Sequence, residues 1–221
     1  PKVKELSLLS SQFEPMLAQD ASFNGFPNVT HFDVMYWVGP FRAFAGFTSV
    51  LSIEYASDYF TLNSPCFQAR SFEGFPNLET MTVGTINNPF APDAFVGLTK
   101  LRSMTLHRLT LNSMTADMFN GLERLESLTF QYSEWRWSTG LLQTWEDECG
   151  IPRVAQEPRV LVYGTDEGIL LPANVLSRLV GLKSLNVQVD QISEPHYRRT
   201  GFVLTSRFLA GLQSLQELVI R

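Results

Sequence analysis

A twelve-residue phrase recurs along this chain and constrains its fold more than any other feature. It reads Phe23-Asn-Gly-Phe26-Pro-Asn-Val29-Thr-His-Phe32-Asp-Val34, then Phe44 to Tyr55, Phe72 to Val83, Phe95 to Leu106 and Phe119 to Phe130. It returns at Leu176 to Val187 and Leu209 to Ile220, with a weaker copy at Ile151 to Val162. Positions 0, 3, 6, 9 and 11 of the phrase are apolar. Of the 40 such positions in eight copies, 39 are apolar and Glu157 alone breaks the rule. A composition of 44% hydrophobic residues does not generate that by chance. Glycine holds position 2 in six copies, with Arg153 and Arg178 replacing it in the other two. A truncated copy, Val3-Lys-Glu-Leu6-Ser-Leu8, opens the sequence.

Apolar steps of three also suit an amphipathic helix. The closing step of two and the internal glycine favour a turn followed by a short strand. No copy buries its own apolar set, so neighbours must stack and share one core. Nine strand cores are expected: Leu6–Leu8, Phe32–Val34, Ile53–Tyr55, Met81–Val83, Met104–Leu106, Leu128–Phe130, Val160–Val162, Leu185–Val187 and Leu218–Ile220. Most intervals between them lie in the 20–29 range, and the longest are 32 and 33 residues.

The phrase resembles the leucine-rich repeat superfamily, L-x-x-L-x-L preceded by F-x-G-L, over essentially the whole chain. The resemblance implies an α/β solenoid. It further implies a leucine-rich repeat horseshoe of about nine repeats, with a parallel sheet on the concave face and an irregular or short-helical convex side. Residues 1–221 are expected to form one array, with irregular, longer repeats at 131–159 and 188–217. The first carries Trp135-Arg136-Trp137 and the second His196-Tyr197-Arg198-Arg199. The chain departs from the family at the turn after each strand. Ser11, Trp37, Asp58, Ile86, Leu109, Ser133, Thr165 and Asp190 stand where the family usually has Asn, so irregular curvature is expected. Extracellular members carry cysteine-rich caps. Here only Cys66 and Cys149 occur, about three strands apart, roughly 15 Å, which is too far for a mutual disulfide. The chain reads as a segment of a longer array.

Motifs that would carry chemistry are missing. There is no Walker A loop, no G-x-S-x-G and no H-E-x-x-H. His31, His107 and His196 lack ligand spacing for a metal. The run Glu146-Asp147-Glu148 reads as a solvated loop rather than a calcium site. No enzyme, catalytic residue, cofactor or metal is expected. A net charge of −5 argues against a partner that needs a strongly basic surface, so no nucleic acid is expected. No apolar run is long enough to span a membrane.

A binding surface is the better reading. Residues between the inward positions face the concave sheet. There the expected ligand-binding group is Arg102, Thr105, His107, Arg108, Thr129, Gln131, Tyr132 and Tyr163. Tyr and Arg anchor many protein interfaces. The acidic end of the face carries Glu5, Asp33, Glu54 and Glu79. Asn28-Val29-Thr30 is a glycosylation sequon. The F-x-G-L variety resembles that of Toll-like receptors and Slit-type proteins. It implies non-catalytic recognition of a protein partner or microbial ligand by a secreted protein or receptor ectodomain, in an innate-immunity setting. Two alternatives stand beside it: an intracellular, cytoplasmic scaffold or adaptor, suggested by the low cysteine content, and a purely structural spacer.

Overall fold

The computed structural model describes residues 2–9, 25–35, 44, 46–56, 67–84, 90–107, 115–133, 169–171, 174–190, 202–204 and 207–221. Among these described residues ten strands follow in chain order: β1 (Glu5–Leu9), β2 (His31–Met35), β3 (Ser52–Ala56), β4 (Thr80–Gly84), β5 (Ser103–His107), β6 (Ser127–Ser133), β7 (Ile169–Leu171), β8 (Ser184–Asp190), β9 (Phe202–Leu204) and β10 (Glu217–Ile220). Eight of them form one parallel sheet in the order β1-β2-β3-β4-β5-β6-β8-β10. The register keeps the repeat phrase aligned. Leu6, Phe32, Ile53, Met81, Met104, Leu128, Leu185 and Leu218 occupy one row across the sheet, and Leu8, Val34, Tyr55, Val83, Leu106, Phe130, Val187 and Ile220 the next inward row.

The alternation of each strand decides which side is dry. Positions 9 and 11 are buried from β2 to β8, while positions 8, 10 and 12 stay half-buried or exposed at nearly every strand. Behind the sheet, positions 0, 3 and 6 complete the core. Phe44, Phe72, Phe95 and Phe119 are fully buried at position 0, and Phe47 and Phe75 at position 3. Their rings stack from one repeat to the next. Phe72 and Phe95 lie 5.6 Å apart at 13° between planes, while Phe32 contacts both Phe44 at 4.7 Å and Phe47 at 5.0 Å. Burying each ring contributes about 1.5–3 kcal/mol, and each ring pair about 0.5–1.5 kcal/mol more. In β10, the last strand of the sheet, Leu218 and Ile220 point inward yet remain 41% exposed, because only β8 covers them.

Backbone hydrogen bonds run along the solenoid in two ladders. The carbonyl just before each strand accepts two amide hydrogens from the next repeat. Lys4, Thr30, Leu51, Glu79, Arg102, Glu126 and Lys183 each do this, at 2.8–3.1 Å. On the return side the polarity reverses. The Arg70 amide donates to the Asp93 carbonyl, Asp93 to Asp117, and Asn174 to Arg207. Arg70, Asp93 and Asn174 adopt positive φ near 60°, the left-handed region, which aims the amide along the stack. A further parallel ladder precedes these residues, five positions before the phrase. It pairs Phe67 with Phe90 as an isolated bridge and Leu171 with Leu204 in the β7–β9 sheet.

Two expectations are revised. The weak copy at Ile151–Val162 does not supply the strand after β6. β6 pairs directly with β8, Ser127 opposite Ser184 through Ser133 opposite Asp190, so the sheet has eight strands among the described residues rather than nine. The one exception to the apolar rule, Glu157, falls in that copy, which also lacks the glycine. The β7–β9 sheet was not anticipated either. Its signal is the apolar residue five places before the phrase at Phe67, Phe90, Leu171 and Leu204. Val160–Val162, Trp135–Trp137, His196–Arg199, Cys66 and Cys149 lie outside the described residues. So do six of the eight positions where the family has Asn. The other two, Ser133 and Asp190, end β6 and β8 as register partners.

Glycine at position 2 has a steric cause where φ is positive, as at Gly97, Gly121 and Gly211. A Cβ on Gly121 would lie 2.9 Å from the Val96 Cα and 3.2 Å from the Phe95 carbonyl oxygen. Gly25 has nothing within 4 Å of the same position. Gly121→Ala is therefore expected to destabilise the array by about 2 kcal/mol or more. Gly25→Ala should stay within about 0.5 kcal/mol of the parent. Denaturant melts of the two variants check this, and equal midpoints would refute the stacking constraint.

Candidate functional site

The open face of the sheet is built from three rows of side chains set by strand alternation. Position 8 carries Glu5, His31, Ser52, Thr80, Ser103, Ser127, Ser184 and Glu217. Position 10 carries Ser7, Asp33, Glu54, Thr82, Thr105, Thr129, Asn186 and Val219. Position 12 carries Leu9, Met35, Ala56, Gly84, His107, Gln131 and Gln188. The middle strands present mostly small hydroxyl side chains, half-buried at β5 and β6. Charge gathers at β2 and β3 and along the strand starts.

The structure brings together much of the expected ligand-binding group. Thr105 and Thr129 are register partners on β5 and β6, and His107 is opposite Gln131. All four are half-buried. Tyr132 lies in β6 with its Cα in register with Val189. Arg102 is exposed one residue before β5, and its guanidinium pairs with the Glu126 carboxylate. Arg108 and Tyr163 lie outside the described residues. Sequence reasoning missed the true neighbours of Thr129 and Gln131, which are Asn186 and Gln188 of β8. The unbroken phrase Leu176–Val187, compared with the broken one at Ile151–Val162, carries that signal. The Asn186 Oδ1 is enclosed without a hydrogen-bond partner, alone in this among the described residues.

Glu126 is the electrostatic centre of the strand starts. It accepts from Arg102 on one side and from Lys183 Nζ at 2.9 Å on the other. Glu126 and Lys183 are 57 residues apart in sequence, yet the ladder makes them successive steps. The hydrogen bond from Lys183, with the charges of Lys183 and Arg102, holds the Glu126 carboxyl below the usual carboxylate range despite some opposing desolvation. The Arg102 and Lys183 cations are thus matched by an anion. Asp33 and Glu54 have no such match: Asp33 accepts only from the Ser7 hydroxyl, at 3.1 Å, among the described residues.

One strand per repeat, stacked in chain order into a single parallel sheet, with an apolar core behind and an open polar face in front, is a leucine-rich-repeat horseshoe. No protein-family model matches the sequence, and no curated protein matches it. Among solved structures it is similar to the protein in the crystal structure of a TLR13-ssRNA13 complex, at 24% identity and a TM-score of 0.47. That similarity covers 91% of this chain and 27% of the other, so the chain spans about a quarter of that protein's length. Among the described residues, no helix is long and apolar enough to cross a membrane, and no three metal-ligating side chains gather into a group.

A lowered carboxyl pKa in the folded state stabilises the fold above the unfolded pKa. That stabilisation is lost as pH falls through the folded pKa. Glu126→Gln is thus expected to lower the melting temperature slightly at neutral pH in low salt. The difference from the parent should vanish below the carboxylate range and at about 1 M salt, where exposed pairs are screened. Thermal melts over pH 2–7 at two ionic strengths test this.

Proposed function

We propose that this chain recognises a protein partner or microbial ligand through the open, concave face of its sheet, as part of a secreted protein or receptor ectodomain. The observation that carries the reading is the uncovered face itself. Strands β4, β5, β6 and β8 carry mostly Ser, Thr, His and Gln side chains there, half-buried or exposed, with no layer of described residues packed over them. A sheet face left open over several repeats is the extended binding surface that solenoids use. The F-x-G-L phrase, resembling that of Toll-like receptors and Slit-type proteins, supports the extracellular setting. Arg102, Thr105, His107, Arg108, Thr129, Gln131, Tyr132 and Tyr163 form the contact group in this reading. Thr105 and Thr129 lie at its centre. Asn28 is exposed in the turn before β2 and is the proposed glycan site. A glycan there would place the chain outside the cytosol, against the scaffold alternative.

A photo-crosslinking residue at Thr105 or Thr129 should capture a partner from cells or their secretions, and the same residue at Arg178 should not. Arg178 lies in the turn before β8 and bonds Asp117 across the return side at 3.4 Å. Equal capture from both positions would contradict concave-face recognition. Secretion from a mammalian cell line with a glycosidase-sensitive mass increase, lost in Asn28→Gln, is expected for the extracellular setting. Secretion without that shift would remove the glycan from the proposal.

A further inference from the structure

The β1–β3 end of the open face differs from the rest in two ways, and together they specify an occupant. Its middle row carries Asp33 and Glu54 as register partners on adjacent strands, about 4.8 Å apart in backbone spacing. Like charges placed side by side destabilise a sheet. No ion pair offsets these two among the described residues, and Lys4 and His31, at the starts of β1 and β2, pair with neither. His31 Nδ1 instead shares a 3.0 Å hydrogen bond with the Thr30 hydroxyl. Glu5 and Glu79 add negative charge at the margins, both exposed. Glu126, by contrast, is held by two cations.

The neighbouring row at this end is apolar. Leu9, Met35 and Ala56 are consecutive in register, followed by Gly84. Leu9 is 67% exposed, and across the acidic row Leu51 is 38% exposed. Further along, the same row turns polar with His107, Gln131 and Gln188. Among the described residues, only here do two neighbouring carboxylates, on β2 and β3, lie about 7 Å from an apolar row that runs from β1 to β3. Within the array Asp33 gains one hydrogen bond, from Ser7, Glu54 gains none among the described residues, and Leu9 stays largely exposed while Met35 and Ala56 are half-buried.

We propose that this end of the face docks a basic segment of a protein partner, with Lys or Arg over Asp33 and Glu54 and an apolar side chain over Leu9, Met35 and Ala56. A short helix with a cation at every fourth position and an apolar residue next to it has the required geometry. Its cations recur every 6 Å or so along the axis, close to the strand spacing. The inference rests on the open face being a recognition surface, and it assigns the chemistry of one end of it.

The probe is a fluorescent dodecapeptide, Lys-Leu-Ala-Ala repeated three times, titrated against the protein with anisotropy as readout. Saturable binding is expected, weakened at least tenfold by Asp33→Asn with Glu54→Gln and at least threefold by Leu9→Ser. Peptides with Glu for Lys, or Ser for Leu, should bind at least tenfold more weakly, and a single-stranded RNA dodecamer should not compete. The double carboxylate variant should melt at or slightly above the parent in low salt, which separates lost docking from lost folding. Peptide binding that ignores the double variant, equal binding of the Ser-for-Leu peptide, or displacement by the RNA would overturn the proposal. Thr105→Arg with Thr129→Arg separates the two readings. Loss of a captured partner with that pair, but unchanged capture with the carboxylate variant, would retain concave-face recognition and remove the basic-segment assignment.

Discussion

The carbonyl that precedes each strand is the hinge of this architecture. It accepts two amide hydrogens from the following repeat, and that one geometry sets both the spacing and the register of the next strand. Once the register is fixed, every inward position lands beside its equivalent, so the phenylalanine rings stack and the core becomes continuous. Left-handed residues on the return side direct their amides the opposite way along the stack and close the coil. Each repeat is held by hydrogen bonds to its neighbours and by a shared core, which is why the array behaves as a one-dimensional object.

The same ladder explains the surface. Residues at one phrase position become lateral neighbours however far apart they lie in the chain, as with Glu126 and Lys183. Charges therefore interact along columns. Where a column alternates in sign, as at Arg102, Glu126 and Lys183, neighbouring charges offset one another in part. Where it repeats a sign, as at Asp33 and Glu54, the field projects into solvent. The open face is thus electrostatically uneven: its centre is hydroxyl-rich and its β2–β3 end is acidic.

Much of this was legible from residues alone. The apolar columns located the eight strands of the main sheet, and their alternation puts Thr105, His107, Thr129 and Gln131 on the side of the sheet away from the core. The failure at Val160–Val162 is instructive. A loosely matching phrase filled a long interval and displaced Asn186 and Gln188 from the predicted face. Its broken position, Glu157, sets it apart from the seven unbroken copies, since an unpaired carboxylate is costly in a shared core. The Arg102–Glu126–Lys183 cluster was beyond reach without the correct neighbour of β6.

By itself, the sequence determined the periodic unit, its inward and outward positions and the fold those imply, because burial of apolar side chains depends on local spacing. Only the tertiary structure decided which repeats are adjacent. Adjacency is a matter of long-range hydrogen bonding, and a long intervening segment costs little extra in loop closure. That choice in turn set which charges cancel and which remain to meet a partner.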